Sequence, residues 1–406
     1  MIVRARPKYL TSEMIDLHAN EDDSVSSRAN CLYFNYGRTA LQFLLKELKK
    51  YYKKPLVVGI QSFNCEVVVE ATIDSGNEVL FMDIEKEFFS ISLTSLQRIG
   101  DKIDVLILTH YQGIPNPYYL EIVAYCQQSE IFMIEDCAQT EKSSIAGKVV
   151  GTLSSAKLES YSFDKPHTTY EGGALILNES LPVKFREKLL SSYAKLPIES
   201  NRKIIADLKT LKWLLINTTT IKYHKYLPYS KIHRLIYCNV PSFIISIIYA
   251  RNPFSSITRR LVNYMSPRDM ILAKPIERMG AQKIKLLEKQ GEWFADDQDV
   301  WQQWERIASS LGLTTGFAKE MCIHWNRYSV LDDTDGSLKS FCKGIGVEAE
   351  NYNWPQPMHE KYRERSECHL EGTYENTVFC CIYIVNLPCW TNLNKILQNT
   401  SKPKIT

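Results

Sequence analysis

The stretch Ile131-Phe132-Met133-Ile134-Glu135-Asp136-Cys137-Ala138-Gln139 sets four apolar residues directly against two carboxylates. A short apolar run bounded by polar residues reads as a strand buried on both faces. An acidic pair at the end of such a strand is costly unless it meets a cation, a donor or a ligand. Glu135 and Asp136 are therefore either a structural cap for the next helix or part of a site. The same kind of strand recurs on both sides, at 56–60, 78–82, 105–108 and 174–177. Between them lie helical patterns. Leu41, Leu44, Leu45 and Leu48 give 39–50 an apolar stripe, 66–74 is closed by Ser75-Gly76, and 119–127 follows. Buried strands alternating with helices predict an α/β fold with a mostly parallel sheet sandwiched by helices. Ligands in such folds bind beyond the carboxyl ends of the strands.

Three further clusters stand at such positions. Tyr36-Gly37-Arg38-Thr39-Ala40 opens the first helix, where free backbone N–H groups attract anions, although the same turn serves equally as a plain N-cap. Ser160-Tyr161-Ser162-Phe163-Asp164-Lys165-Pro166-His167 offers hydroxyls, a lysine and a histidine. Glu171-Gly172-Gly173 makes a tight turn into the strand at 174–177. Singly, each has a bland reading as solvated or packed residues. In this order they are the parts that hold pyridoxal 5′-phosphate (PLP): N–H groups and a hydroxyl for the phosphate, a carboxylate for the ring nitrogen, a lysine for the aldehyde.

Composition sets the frame. The chain has 406 residues, 45% of them hydrophobic and 23% charged, so it is an ordinary globular mixture and not a disordered one. The net charge of +3 is unevenly spread. Residues 208–268 contain ten Lys and Arg and no Asp or Glu, which leaves the rest at −7 (+3 minus +10). That excludes a uniformly basic nucleic-acid binder. Eleven cysteines without a CxxC pair suggest reduced thiols rather than a disulfide framework or a metal site, and Cys380-Cys381 read as strand residues. The N-terminus has no apolar signal-type core, and the longest clean apolar run, 240–250, falls short of the ~20 residues that a membrane span needs. The expected location is cytoplasmic.

The chain divides, on this reading, into a large cofactor-binding domain at 1–205, a basic and aromatic helical insertion at 206–270, and a connecting helix with a small C-terminal domain at 271–406. Within the last, 275–293 reads as helix, 321–325 and 377–384 as strands, and 344–347 as a turn. The insertion has three readings: a helical subdomain forming a lid or dimer contacts, an interfacial patch meeting anionic lipid, or an attractor for a nucleotide diphosphate.

Together these motifs resemble the DegT/DnrJ/EryC1/StrS sugar aminotransferases. The resemblance is carried by Gly37-Arg38-Thr39-Ala40-Leu41, Asp74-Ser75-Gly76 with Asp83-Ile84, His110-Tyr111-Gln112-Gly113, Glu135–Gln139 in the stretch quoted above, Ser162-Phe163 with Lys165, and Glu171-Gly172-Gly173-Ala174. Arg278-Met279-Gly280-Ala281-Gln282 is similar to the helix that enters the family's small domain. The resemblance implies the type I PLP-transferase fold, with a seven-stranded sheet. It also implies that Lys165 links the cofactor and shuttles the proton, that Asp136 pairs with the ring nitrogen, and that Gln139 lies near the ring hydroxyl. Ser162, Gly37 and the backbone of Arg38 and Thr39 would hold the phosphate. A ring-stacking residue would come from Phe63-Asn64-Cys65. No metal is expected. The implied reaction carries an amino group from an amino acid, glutamate by resemblance, to a nucleotide-linked keto-sugar, in a homodimer whose active site lies at the interface. Two alternatives stay open: a PLP-dependent sugar dehydratase and a silent cofactor-binding regulator. The spacing from Ser162 to Lys165 is two residues shorter than in many relatives. The distance from Lys165 to Glu171-Gly172-Gly173 keeps the register on Lys165 rather than His167.

Overall fold

The computed structural model describes residues 10–17, 30–140, 142–217, 274–291, 298–313, 317, 320–333, 336–347, 349, 354–389 and 397. The predicted α/β fold is found. Its strands are β1 (Cys31–Phe34), β2 (Val57–Gln61), β3 (Glu78–Met82), the short β4 (Ile84–Glu85) and β5 (Ser90–Ile91), β6 (Val105–Thr109), β7 (Phe132–Asp136), the short β8 (Ser144–Ile145) and β9 (Lys148–Val149), β10 (Ala156–Ser160) and β11 (Gly173–Leu177). Helices α1 (Gly37–Tyr52), α2 (Glu66–Asp74), α3 (Leu93–Ile99), α4 (Tyr119–Gln128), α5 (Val183–Ala194) and α6 (Asn201–Asn217) alternate with or follow them. Later come α7 (Ala281–Gly291), α8 (Gln298–Ser310), β12 (Met321–Cys322), β13 (Arg327–Leu331), α9 (Ser337–Gly344), α10 (Met358–Lys361), β14 (Cys368–Leu370), α11 (Glu375–Tyr383) and β15 (Ile384–Pro388).

The main sheet has eight strands in the order β1-β11-β10-β7-β6-β2-β3-β14, not the seven expected. From β10 to β14 every pair is parallel; β11 runs antiparallel to both β10 and β1. The additional strand comes from the far end of the chain. β14 pairs with β3 through Cys368↔Val79 and Leu370↔Phe81. α1 buries Leu41, Leu44, Leu45 and Leu48 against one face, where Val58, Ile60, Ile107 and Ile134 also point. Leu96 of α3 and Ile122 of α4 pack with Leu106 and Met133 on the other. Each helix stops for a local reason: Lys53 takes a left-handed φ of 58° after α1, and Gly76 one of 75° after α2.

A second core gathers α8, β13, α9, α11 and β15 around Trp304, Tyr328, Val330 and Leu387, and it is continuous with Phe63 and Tyr111 of the first part. Three expectations for this half change. The strand expected at 377–384 is α11, which carries Cys380 and Cys381 in a helix, followed by β15. A β-branched and aromatic run becomes helical here because Asp83 caps it from a distance. The Asp83 carboxylate accepts the Thr377 N–H at 2.9 Å and its hydroxyl at 2.7 Å, with the Asn376 N–H at 3.4 Å. The strand expected at 321–325 shrinks to β12. The helix expected over 275–293 starts only at Ala281, because the residues before it lie extended against β1, with Asn35 N–H to Glu277 C=O at 3.0 Å and Met279 N–H to Tyr33 C=O at 3.1 Å. The expected boundary between 205 and 206 falls inside α6. The basic segment begins on α6, and its residues 218–268 lie outside the described residues. Among the described residues no helix is long and apolar enough to cross a membrane.

Candidate active site

The site forms where β6, β7 and β10 end. Along β7 the side chains alternate, so Ile134 faces the α1 side of the sheet and Met133 the α4 side. The same alternation sends the two neighbouring carboxylates apart. Glu135 is fully buried. Its oxygens meet His110 Nε2 at 3.0 Å, the Tyr119 hydroxyl at 3.2 Å, the Gly151 N–H at 2.5 Å and the Ser154 N–H at 3.3 Å. Burial alone would push its carboxyl up, but the bonds from His110, Ser154 and Gly151 outweigh it and hold the group below the ordinary carboxylate range. Glu135 is thus structural, anchoring the 110–111 and 151–154 loops.

Asp136 faces the other way. It is buried and accepts the Ala138 N–H at 3.0 Å. Here burial wins and raises the carboxyl, against the Ala138 N–H and the positive charge of Lys165. Such a carboxyl calls for a cationic partner.

Lys165 supplies the nearby amine. Its N–H closes a turn onto Ser162 C=O at 3.1 Å, and its side chain is 14% exposed. Its loop leaves β10, which pairs with β7 through Leu158↔Asp136, so the lysine and the carboxylate follow from neighbouring strand ends, near enough for the lysine charge to act on Asp136 and on the Cys65 thiol. Burial pushes the Cys65 thiol up in spite of that charge. Nζ lies 3.7 Å from Asp164 Oδ2, and the same oxygen is 3.4 Å from Arg327 Nη2 of β13.

The start of α1 is pressed against the ends of β10 and β11. A Cβ on Gly173 would stand 2.4 Å from Gly37 Cα, and one on Gly37 would stand 3.2 Å from Ser160 Cβ. Only glycines let these backbones meet. The contact sets the first turn of α1 beside Ser160 and Ser162, whose hydroxyl oxygens are 3.2 Å apart. A helix start of this kind is an anion cradle. The Thr39 hydroxyl donates toward Asn35 Oδ1 at 2.7 Å, so Thr39 reaches a ligand through its backbone, and the Arg38 guanidinium sits 5.8 Å from the Tyr36 ring centre.

Gln139 is oriented by the Gln112 N–H, which donates to its Oε1 at 3.0 Å. Gln112 holds a left-handed φ of 52° and is clamped by Asn326, whose N–H donates to its C=O at 3.0 Å and whose Nδ2 donates to Oε1 at 2.9 Å. Its Nε2 is buried without a geometrically sound hydrogen bond among the described residues. Phe63 is wholly buried, 5.0 Å from the Tyr111 and Trp354 rings, so its contacts are with the core. Cys65 stands at the N-cap of α2, where the charges of Lys165 and Asp136 reach its thiol. An anion cradle, a buried carboxylate and an amine thus share one edge, and the residues fit a phosphate-bearing pyridine aldehyde. His110, Glu135 and Cys137 also bring possible metal ligands within 4.8 Å of one another, but the Glu135 oxygens are already taken by the four contacts above.

His324, Trp325 and Arg327 are the residues that sequence offers as small-domain candidates for choosing the sugar; Trp325 is buried against Phe317 and Tyr328, and the His324 N–H bonds Ser143 Oγ at 2.9 Å. Arg327 stands against the lysine loop, its Nη2 3.4 Å from Asp164 Oδ2, a contact that sequence could not place because 163 positions separate the two. Lys283 was also missed. It is fully buried, 2.7 Å from Asp207 and 3.1 Å from Glu199, and it donates to the Glu171 C=O at 3.1 Å, bracing the Gly172-Gly173 turn.

Comparison with known proteins agrees with this geometry. Residues 24–195 match the DegT/DnrJ/EryC1/StrS aminotransferase family. A GDP-perosamine synthase of Escherichia coli O157:H7 is 31% identical over 112 residues, covering 27% of this chain and 30% of that protein. The Vibrio cholerae GDP-perosamine synthase is 26% identical over 125 residues, covering 30% and 34%. The matched stretch thus spans about a third of these relatives. Among solved structures, Helicobacter pylori PseC, an aminotransferase involved in pseudoaminic acid biosynthesis, superposes with a TM-score of 0.65 at 15% identity over 98% of this chain and 96% of that one. A Brucella abortus DegT/DnrJ/EryC1/StrS aminotransferase gives 0.59 at 16% identity over 91% and 84%. These structures establish the fold. The stretch that matches the DegT/DnrJ/EryC1/StrS aminotransferase family, residues 24–195, holds Asp136, Gln139, Ser162, Lys165 and the Gly37–Gly173 contact.

Proposed function

We propose that the protein is a PLP-dependent aminotransferase. It moves an amino group from an amino-acid donor, glutamate in the first instance, to a keto-sugar carried on a nucleotide, for a surface polysaccharide or a glycoside. The observation that carries this reading is the convergence of Lys165 and Asp136 beside the cradle at the start of α1. When bound, the cofactor supplies an electron sink for breaking bonds at the amino-bearing carbon. The chain's own residues do the rest. Lys165 carries the covalent link to the cofactor and then moves a proton through Nζ. Asp136 keeps the ring nitrogen protonated, and Gln139, held by Gln112, lies near the ring hydroxyl. The first turn of α1, through Gly37, Arg38 and Thr39, and the Ser162 hydroxyl bind the phosphate. The sugar-nucleotide class is supported by the matches to GDP-perosamine synthases.

The same fold also serves a GDP-4-keto-6-deoxymannose-3-dehydratase solved with GDP-perosamine, at a TM-score of 0.60 and 13% identity. The basic amine at position 165 favours transfer over dehydration. Purified protein is expected to show a visible cofactor band that disappears in Lys165→Ala and is bleached by glutamate. A band that persists in Lys165→Ala removes that residue from its role; a band indifferent to every amino donor points to a dehydratase or a regulator.

The reading includes a homodimer with the site at its interface and a cytoplasmic enzyme. The ten cations and nine aromatic residues interleaved over 208–268, without an acidic residue, support contact with an anionic membrane surface. Flotation of the intact protein with anionic liposomes at low salt tests this; absence of binding defeats it.

A further inference from the structure

Asp164 stands between two cations. Its Oδ2 lies 3.7 Å from Lys165 Nζ and 3.4 Å from Arg327 Nη2. The lysine belongs to the loop after β10, and the arginine is the first residue of β13. One carboxylate oxygen therefore joins the lysine loop to the second core. The arginine is the fixed partner. It is 3% exposed, its backbone pairs with Pro388 of β15, and its neighbour Asn326 is clamped to Gln112. Its Nη1 is buried without a hydrogen-bond partner among the described residues, so Asp164 is the anion that balances this guanidinium. The lysine, on four methylenes, is the adjustable partner. Among the described residues, the charged and titratable groups seen to act with it are Asp136 from β7, the Cys65 thiol from the start of α2, and Asp164 itself.

We propose that Asp164 is a positioning residue for Lys165. Held by Arg327, its carboxylate shares the lysine ammonium with Asp136 and sets how readily the amine acts as a nucleophile. This rests on the assignment of Lys165 as the cofactor-linking amine and deepens it. A shared carboxylate predicts opposite effects from its two sides. Asp164→Asn removes a counter-charge and frees the amine. Arg327→Leu leaves the whole carboxylate to Lys165 and ties the amine down.

The test uses the full-length chain after cofactor removal with hydroxylamine and dialysis. A brief pulse of an amine-acylating ester is followed by peptide mass spectrometry, with Lys165 labelling normalised to the exposed Lys148. Asp164→Asn is expected to label at Lys165 roughly three- to tenfold faster than the parent, Arg327→Leu slower by a similar factor, and Asp164→Glu within about twofold of the parent. Equal labelling of Asp164→Asn and the parent overturns the proposal, as does faster labelling of Arg327→Leu. Asp164 is 30% exposed, so its asparagine variant tests the idea even where loss of the buried arginine lowers the melting temperature. A parent protein that never shows the visible band defeats the proposed function, while the labelling still decides the role of Asp164.

Discussion

The carboxyl of Glu135 is met by four polar partners, while that of its neighbour Asp136 takes the Ala138 N–H, the Thr109 hydroxyl and a share of a lysine's charge. One peptide bond separates a brace from a reactive group, because strand alternation puts them on opposite faces. Glu135→Gln keeps the shape but gives up the charge-assisted bonds. It is expected to cost about 2 kcal/mol of stability at neutral pH. The sign of its pH dependence follows from a folded value below the ordinary 4.5. The contribution is complete above 4.5 and is lost as pH falls through the folded value, so the melting-temperature gap between parent and Glu135→Gln narrows in acid. A gap that widens in acid refutes this account. Gly173→Ala tests the other half of the site. Its Cβ meets the Gly37 backbone at 2.4 Å, so PLP affinity is expected to drop by about tenfold or more, which corresponds to ~1.4 kcal/mol. Gly344→Ala, with open space around its Cβ, should leave affinity unchanged in the same fluorescence titration.

At the level of elements, α11 owes its start to a residue far away in the chain. Asp83→Ala removes the acceptor of the Thr377 and Asn376 N–H groups. It is expected to cost about 1 kcal/mol and to speed amide exchange at 376–378 without changing exchange in α1. This cap also explains what sequence reading could and could not reach. The strands β2, β3, β6 and β7 were legible because each is an apolar run between breakers, and α2 because Ser75-Gly76 stops it. β10 was not, since Lys157 and Glu159 break the continuous apolar run that marks the other strands; in the fold they pair with each other at 2.7 Å on one face. β1 and β14 are too short to signal themselves, and the run at 377–384 carries strand propensity that a distant carboxylate overrides. Within the site, Lys165, Asp136 and the glycine turn were readable because they sit at strand ends in a fixed order. Arg327, Lys283 and the His110–Glu135 pair depend on contacts between segments that no local pattern announces.

Over the whole molecule, one ion cluster braces the halves. Lys283 of α7 meets Asp207 of α6 and Glu199 just before it, and reaches the carbonyl of Glu171. The carboxylates draw its pKa up in spite of burial, which opposes them. Lys283→Met takes the buried cation from Asp207 and leaves Glu199 only its pairing with Lys203 at 3.3 Å, and it is expected to cost about 3–5 kcal/mol, read by denaturant unfolding. Because the cluster also supports the Gly172-Gly173 turn, the same variant should weaken PLP binding; normal affinity in a destabilised protein would separate the two roles. The sheet raises a different matter, that of order in time. β3 is completed by β14, whose residues are made nearly 290 positions later. A ribosome adding about 5–20 residues per second needs roughly 15–60 s to supply that strand. During that interval the nascent sheet presents β3 as a bare edge, open to pairing with other chains. A polypeptide halted before 368 would keep that edge for good, which makes incomplete translation products of this protein a source of aggregation in the cell.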